Sequence, residues 1–446
     1  MFTFYIDKTE ELTTGIIGRM IRKFNQTNKP YLRKCQDYYD GNQDIMRRAV
    51  GDPARPNNKI VRNYCSSIVD NFQGYLCGTP ITYTGKDGAD IDQLLDIFDA
   101  NDIQNSDSEF LRNALIYGVA YQLCYINERM EKKFKNVSPL NIFPIYSSDL
   151  DEDLLAAVYF TPIITWDETQ ADTNWNVSIY TDRFIYHYIA ANNFNSFTAL
   201  GAEEHYFNEV PVSIFNLNNE GFSIFQKIVT LQDAYNKLIS DEVNDFESFV
   251  DAYMVLKNVS ATEEELAAMK ETRTILLDGE DDVSYLTKDF NTDQISQLLD
   301  DINVSIRTVA NSPDFSSEEF GAGVSSGIAL QFKLVGFNNT ASNIEAQMRK
   351  ALQKRIELLN NVLSLVDTAA FDVDITFNYN LPTSIADVIT NVNALRGLVS
   401  DETLLAQIPF IDDVDMELER IKEQNDSYSA VYDFNMHEEE EPVEGE

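Results

Sequence analysis

From residue 222 to residue 366 the chain spells an order that few folds accommodate: a helix, a small insert, a second helix, a Gly/Ser-rich loop and a long third helix. Over 222–257, Ile228, Leu231, Tyr235, Leu238, Phe246, Phe249, Tyr253 and Leu256 recur at helical spacing, which predicts one helix of about 50 Å. Its other faces carry Asp233, Asp241, Glu242, Asp245, Glu247 and Asp251, so it needs neighbours along its apolar stripe and solvent elsewhere. Residues 258–290 read as a compact α/β insert, with a helix from Thr262 to Lys270 and two short strands at 273–277 and 283–286 joined by the turn Asp278-Gly279. Ile295, Leu298, Leu299, Ile302, Ile306 and Val309 predict the second helix over 291–310. Two helices flanking a small insert can run antiparallel, which sets the insert at the far tip of a stalk.

Around this stalk the sequence predicts an α+β protein. Residues 8–25 and 29–40 read as two surface helices, with Pro30 at the start of the second and Tyr39-Asp40-Gly41-Asn42 as its stop. Ile60, Tyr64, Ile68, Phe72 and Leu76 mark one face of a helix ending at Gly78-Thr79-Pro80, and 81–84 alternates as a strand. Helices at 91–99 and 106–117 lead to a strand at 120–125. Residues 138–216 alternate β-branched and aromatic runs with polar turns and read as a β-rich lobe. The stretch 326–366 predicts the long helix, with a bend at 336–339, and 371–379 a strand that returns to the β-rich lobe. Residues 381–421 hold three helices. Ser384 and Asp387 form a capping box, and Gly397 sits where a left-handed C-terminal cap belongs. Ser400 caps a short second helix carrying Asp401 and Glu402 in its first turn, Ile408-Pro409 stops it, and Asp412 opens the third.

The chemistry of an enzyme is missing from this pattern. The chain holds no phosphate-binding Gly-rich lysine loop, no H-E-x-x-H and no nucleophile elbow, and its three histidines, His187, His205 and His437, fall in separate segments. Cys35, Cys65, Cys77 and Cys124 form no C-x-x-C pair and sit among apolar neighbours, which predicts reduced core thiols. The acid pairs Asp372/Asp374 and Asp412/Asp413 read as solvated carboxylates. No cofactor or metal is expected. No run approaches the roughly 18 apolar residues of a membrane helix, and the N-terminus lacks a secretory pattern. With 73 acids against 34 bases, a net charge of -39, the surface cannot gather nucleic acid by counterion release.

Three segments carry a family resemblance. They are Asn58-Lys59-Ile60 with Ile68-Val69-Asp70 and Tyr75-Leu76-x-Gly78-x-Pro80-Ile81; Ser312-Pro313-Asp314-Phe315 with Ser326-Gly327-x-Ala329-Leu330; and Asn380-Leu381-Pro382, then Val399 to Leu405, Ile408-Pro409 and Asp412 to Ile421. In that order they resemble the SPP1-like portal proteins of tailed phages.

The resemblance implies a ring-forming portal fold: a wing over 1–221, a stem helix at 222–257, a clip at 258–290, a second stem helix at 291–311, a tunnel loop at 312–325, a long wing helix with a returning strand at 326–380, crown helices at 381–425 and an acidic tail at 426–446, rich in glutamate and expected to be disordered. It implies a dodecamer at the capsid vertex of the virion, assembled in the host cytoplasm, with double-stranded DNA in its channel. The terminase large subunit, the head-tail connector, and the capsid and scaffold proteins are its implied partners. Asp314, Phe315, Glu318, Glu319, Phe320 and Gly321 would form the tunnel loop, and Lys288 and Arg307 are basic residues near the channel. Thr262, Glu265, Lys270, Arg273, Asp278 and Gly279 would belong to the clip's partner surface. An acidic wall repels DNA and lets it slide, and the apolar stripes of 222–257 and 326–366 are expected to close the ring. The alternatives are an acidic non-portal ring or scaffold protein of a virion, or an acidic hydrolase working through paired carboxylates.

Overall fold

The structure, a computed structural model, describes residues 3–49, 55–163, 174–250, 254–257, 262, 282–285, 292–315, 327–363 and 371–380, together with most positions between 390 and 424. The chain divides into two compact units, Met1–Asn380 and Leu381–Glu446.

The first unit opens with β1 (Phe4–Ile6) and α1 (Thr14–Asp40). The hydroxyl of Thr13 accepts from Ile16 N, and Gly41, at φ 87°, closes the helix in the left-handed conformation. The two surface helices expected here are one helix, with one face on the core and the other exposed. Pro30 lies inside it. An interior proline costs about 3 kcal/mol, but Ile17, Ile21 and Phe24 on one side of it and Leu32, Cys35 and Tyr38 on the other are all buried on the same core, which holds both halves in one line. Gly18 is needed where the helix crosses the β-rich lobe, because a Cβ there would stand 2.3 Å from the carbonyl oxygen of Phe194.

After α1 come α2 (Tyr64–Cys77), β2 (Thr82–Gly85), α3 (Asp92–Asp99), α4 (Ile103–Tyr117) and β3 (Val119–Ile126), close to the ranges the periodicity predicts. The β-rich lobe contains β4 (Lys132–Val137), β5 (Ile142–Ser147), β6 (Leu154–Pro162), β7 (Trp175–Tyr180), β8 (Phe184–Ala190), β9 (Phe197–Glu204) and β10 (Val212–Asn216). A six-stranded sheet runs β1-β5-β6-β7-β8-β9, with β1 parallel to β5 and the other pairs antiparallel. A three-stranded antiparallel sheet runs β10-β3-β4. β9 is an exposed edge, and Glu203 and Glu204 place charge along it, which discourages pairing with another strand.

His187 and His205 are held as structural groups. His187 Nδ1 lies 3.1 Å from Ser178 Oγ across the β7–β8 pair. His205 is buried; its Nε2 donates to the Thr181 carbonyl at 2.9 Å and its Nδ1 accepts from Phe207 N at 3.4 Å, which fixes a neutral imidazole. Burial lowers its pKa below the ordinary 6.5. The unfolded chain therefore binds this proton first, and the stability His205 contributes is complete above about pH 6.5 and declines as pH falls toward the folded value. Thermal unfolding at pH 7 and pH 5 checks this: His205→Asn should lose less stability on acidification than the parent chain does.

The stalk differs from its expected outline. A 3₁₀ turn at Gln226–Ile228 leads into α5 (Val229–Val250), which is 22 residues long and so about 33 Å. Residues 254–257 are not helical. They form β11 (Met254–Lys257), antiparallel to β12 (Asp282–Tyr285), so the apolar Met254, Val255 and Leu256 serve a two-stranded ladder. The expected partner of β12, residues 273–277, lies outside the described residues, as does the insert's helix but for Thr262. α6 (Thr292–Ala310) follows and packs against α5.

α7 (Gly327–Leu363) is continuous over 37 residues. Leu334, Phe337, Ala341, Ile344, Met348, Leu352, Ile356, Leu359 and Leu363 are buried within this one chain, so its stripe is core and is not left for a neighbouring subunit as the sequence suggests. A second correction concerns β13 (Val373–Thr376), which pairs antiparallel with β2 in a separate two-stranded sheet and does not rejoin the β-rich lobe. Val373 and Ile375 bury beside Tyr83, the residue opposite Ile375.

In the second unit, α8 (Asp401–Leu405) starts as its cap predicts, with Thr403 N donating to Ser400 Oγ at 3.4 Å and Asp401 and Glu402 in the first turn. Gly397 takes φ 86°. The capping box at Ser384 and Asp387 lies outside the described residues.

Candidate functional site

Of the residues assigned to the tunnel loop, Asp314 and Phe315 are described; Glu318, Glu319, Phe320 and Gly321 are not. Arg307 and Thr262 are described, whereas Lys288, Glu265, Lys270, Arg273, Asp278 and Gly279 fall outside. What can be built is therefore the loop's root, and it is held on every side. α6 ends at Asn311, in the left-handed region at φ 51°, and Ser312 N closes the turn onto the Arg307 carbonyl at 3.1 Å. Asn311 Nδ2 donates to Thr340 on α7 at 3.2 Å. Ser312 is buried and its hydroxyl accepts from Asn71 of α2 at 3.1 Å.

The first loop residues are fixed as well. Asp314 forms an ion pair with Arg307 at 2.7 Å, both partly shielded. Arg307 also donates to Asn303 at 2.9 Å, and its guanidinium lies 5.6 Å from the centre of the Tyr64 ring. Its charge is thus engaged within the chain. Phe315 stands edge-on to Phe337 at 5.5 Å, and Phe337 stacks on Phe72 at 4.4 Å. Phe315 is thus packed on α7 of the same chain.

α2 is the meeting point of the sequence segments singled out above. It binds the loop root through Asn71 and Phe72, and it binds Asn380 through the Tyr75 carbonyl, which accepts from Asn380 N at 3.0 Å. Tyr75 also stacks on Tyr379 at 4.8 Å and donates to Asn338 of α7 at 2.9 Å. Neighbouring Asn378 donates to the Pro80 carbonyl at 2.9 Å.

The stretch before α2 is fastened by residues that the periodicity did not pick out. Asn58 N donates to Asn244 at 2.7 Å, Ile60 N to Ser240 at 2.9 Å, Arg62 N to Asn236 at 3.1 Å and Tyr64 N to Gln232 at 3.1 Å. Every second backbone amide is met by every fourth side chain of α5, running in opposite directions. The spacing explains the match, since four helical residues rise about 6.0 Å and two extended residues about 6.6 Å. Gln232 returns a bond to the Arg62 carbonyl at 2.8 Å, and Gln232, Asn236 and Ser240 are fully buried. The acids of α5 are partly used too: Asp233 accepts from Tyr38 at 2.6 Å and Asp241 from Arg48 at 2.5 Å. Burial raises the Asp233 pKa above the usual carboxylate value.

The four cysteines are free and buried, and burial pushes Cys35 and Cys124 up to about 12, so these two are not nucleophiles at neutral pH. Asp372 pairs with Lys86 at 2.8 Å. Among the described residues no group of three His, Cys, Asp or Glu side chains is placed to hold a metal, and no helix is long and apolar enough to cross a membrane. The arrangement positions a loop and braces a helix pair.

Comparison with known proteins agrees with the three segments. The portal protein of Bacillus phage SPP1 is 23% identical over 453 residues, covering 94% of this chain and 88% of that protein. The portal protein of Clostridium phage phiCD119 is 21% identical over 427 residues, covering 89% of this chain and 93% of that one. The model of the family described as phage portal protein, SPP1 Gp6-like, matches residues 20–430, which takes in α2, the loop root and the helices that brace them, and the chain belongs to that family.

Proposed function

We propose that this chain is the subunit of a portal ring: copies close around a channel at one capsid vertex, double-stranded DNA passes through during packaging and ejection, and the ring docks the terminase and later the head-tail connector. In this reading α5 and α6 are the stem, the segment containing β11 and β12 is the clip that meets those partners, the loop rooted at Asn311–Phe315 reaches into the channel, and the second unit is the crown. The ring is dodecameric in the virion and contacts capsid and scaffold proteins at its rim. It does no covalent chemistry, leaving ATP hydrolysis to the motor.

The observation that carries this reading is the stalk. α5 runs into β11, β11 pairs antiparallel with β12, β12 leads to α6, and α6 packs back on α5. The stalk and the start of α7 also expose apolar side chains that a lone subunit leaves in water: Phe246 at 66%, Val304 at 63% and Phe332 at 76%. In the ring these belong against the adjacent subunit, head to tail.

The test is negative-stain microscopy of the purified chain at moderate salt, which screens repulsion between acidic subunits. The expected images are rings with a central hole and a stalk, and Val304→Glu with Phe332→Glu should leave only single subunits. A compact closed dimer without a channel would sink the reading.

A further inference from the structure

A cavity of about 490 Å³ beside α1 runs against the charge of the molecule. Lys29, Arg33, Lys34 and Arg47 line it with one acid, Asp37, in a chain that has more than twice as many acids as bases. Two of these bases are already committed. Arg47 pairs with Asp37 at 2.5 Å and Asp44 at 2.8 Å, and Lys34 pairs with Asp44 at 3.3 Å. Lys29 and Arg33 have no carboxylate partner among the described residues.

Lys29 is the unusual one. It is buried, its ammonium lies 5.3 Å from the centre of the Phe160 ring and 5.4 Å from that of Trp175, and its single hydrogen bond, to Asn141, is long at 3.4 Å. An ammonium has three N–H donors, so two are left without an acceptor among the described residues. Trp175 Nε1 and Asn25 Oδ1, on two lining residues, are buried without a hydrogen-bond partner among the described residues, out of reach of the cavity itself. Buried polar groups are nearly always paired. Here two cations with no carboxylate partner among the described residues, one of them buried, line one cavity. Burial and the neighbouring Arg33 also draw the Lys29 pKa down, which an anion would reverse.

We infer that this cavity is a binding site for a phosphate-class oxyanion. A hydrogenphosphate dianion balances Lys29 and Arg33, and its oxygens accept from both.

Calorimetric titration of the full chain with inorganic phosphate at constant ionic strength tests this. The expected result is saturable binding of one phosphate per chain and at least about a tenfold loss of affinity in Lys29→Met, the size of one lost charge-assisted hydrogen bond. Arg33→Gln, a change on the rim, should weaken binding similarly and serves if Lys29→Met does not fold. Because the chain has only two tryptophans, a Trp166→Phe background reports the same event through Trp175 fluorescence. A short DNA duplex that displaces phosphate would assign the oxyanion to a nucleic acid backbone, and failure to displace it assigns a free anion. Absence of saturable binding at millimolar phosphate, or affinity unchanged in both variants, overturns the site.

Discussion

Arg355→Met should destabilise the chain by about 3–5 kcal/mol, read as a fall in the denaturant midpoint. Arg355 is fully buried on α7 and forks onto Asp107 of α4 at 2.5 and 3.3 Å. It donates as well to Tyr83 of β2 at 2.7 Å and Gln122 of β3 at 3.4 Å, and its guanidinium lies 5.0 Å from the Phe98 ring centre and 5.4 Å from that of Phe134. Burial works against its charge, and Asp107 and Tyr83 outweigh that, so it stays charged. Removing it leaves the Asp107 carboxylate buried with only Tyr83 as a hydrogen-bond donor, at 2.5 Å. Total stability of a domain is commonly about 5–15 kcal/mol, so one side chain commands a large share. The double variant Asp107→Leu, Arg355→Met should recover most of the loss, because apolar groups of similar volume replace a buried pair at little cost. Equal loss in the single and double variants would mean that α7 is held by its apolar stripe alone.

That pair also marks where the sequence stops being readable. Helix ends written in local chemistry came through: Gly41 and Gly397 in left-handed caps, Ser400 at the start of α8, and the α2 face from Tyr64 to Leu76. Failures occurred where distant partners decide. Pro30 is a local breaker overruled by packing on both sides of it. Met254 to Leu256 suit a helix stripe and a strand equally, and β12 decides. The partner of 373–376 was invisible for the same reason, since alternation fixes which face is buried and not which strand lies alongside. Arg355, inside a run rich in Lys, Arg and Glu, reads as a solvated residue; its partner is 248 positions away. For the loop, the base expected near the channel, Arg307, is paired with Asp314 of the same chain.

The row Gln232, Asn236, Ser240, Asn244 did leave a signal, small polar residues every fourth position where solvent would suit charges, and it leads to the second large effect. Asn236→Leu should cost about 3 kcal/mol, since each buried polar group left unpaired costs about 1–3. Asn236 accepts from Arg62 N and from Gln232 Nε2 at 2.9 Å, and donates to Gln43 at 2.5 Å, so three groups lose a partner at once. The consequence is directional. Residues 58–64 have no ladder of their own and depend on α5 for their alternate amides, so hydrogen exchange at Ile60, Arg62 and Tyr64 should rise together while amides within α2 stay protected. Asn244→Leu, at the less buried end, should release Asn58. If exchange at 58–64 is unchanged in Asn236→Leu, these amides are protected by the surrounding core and the row is incidental. If it rises as expected, α5 and the segment leading into α2 move as one body, because α2 grips the loop root through Asn71 and Phe72 while α5 grips the entry to α2. A displacement carried along α5 then reaches the loop root through hydrogen bonds and packed rings within one chain.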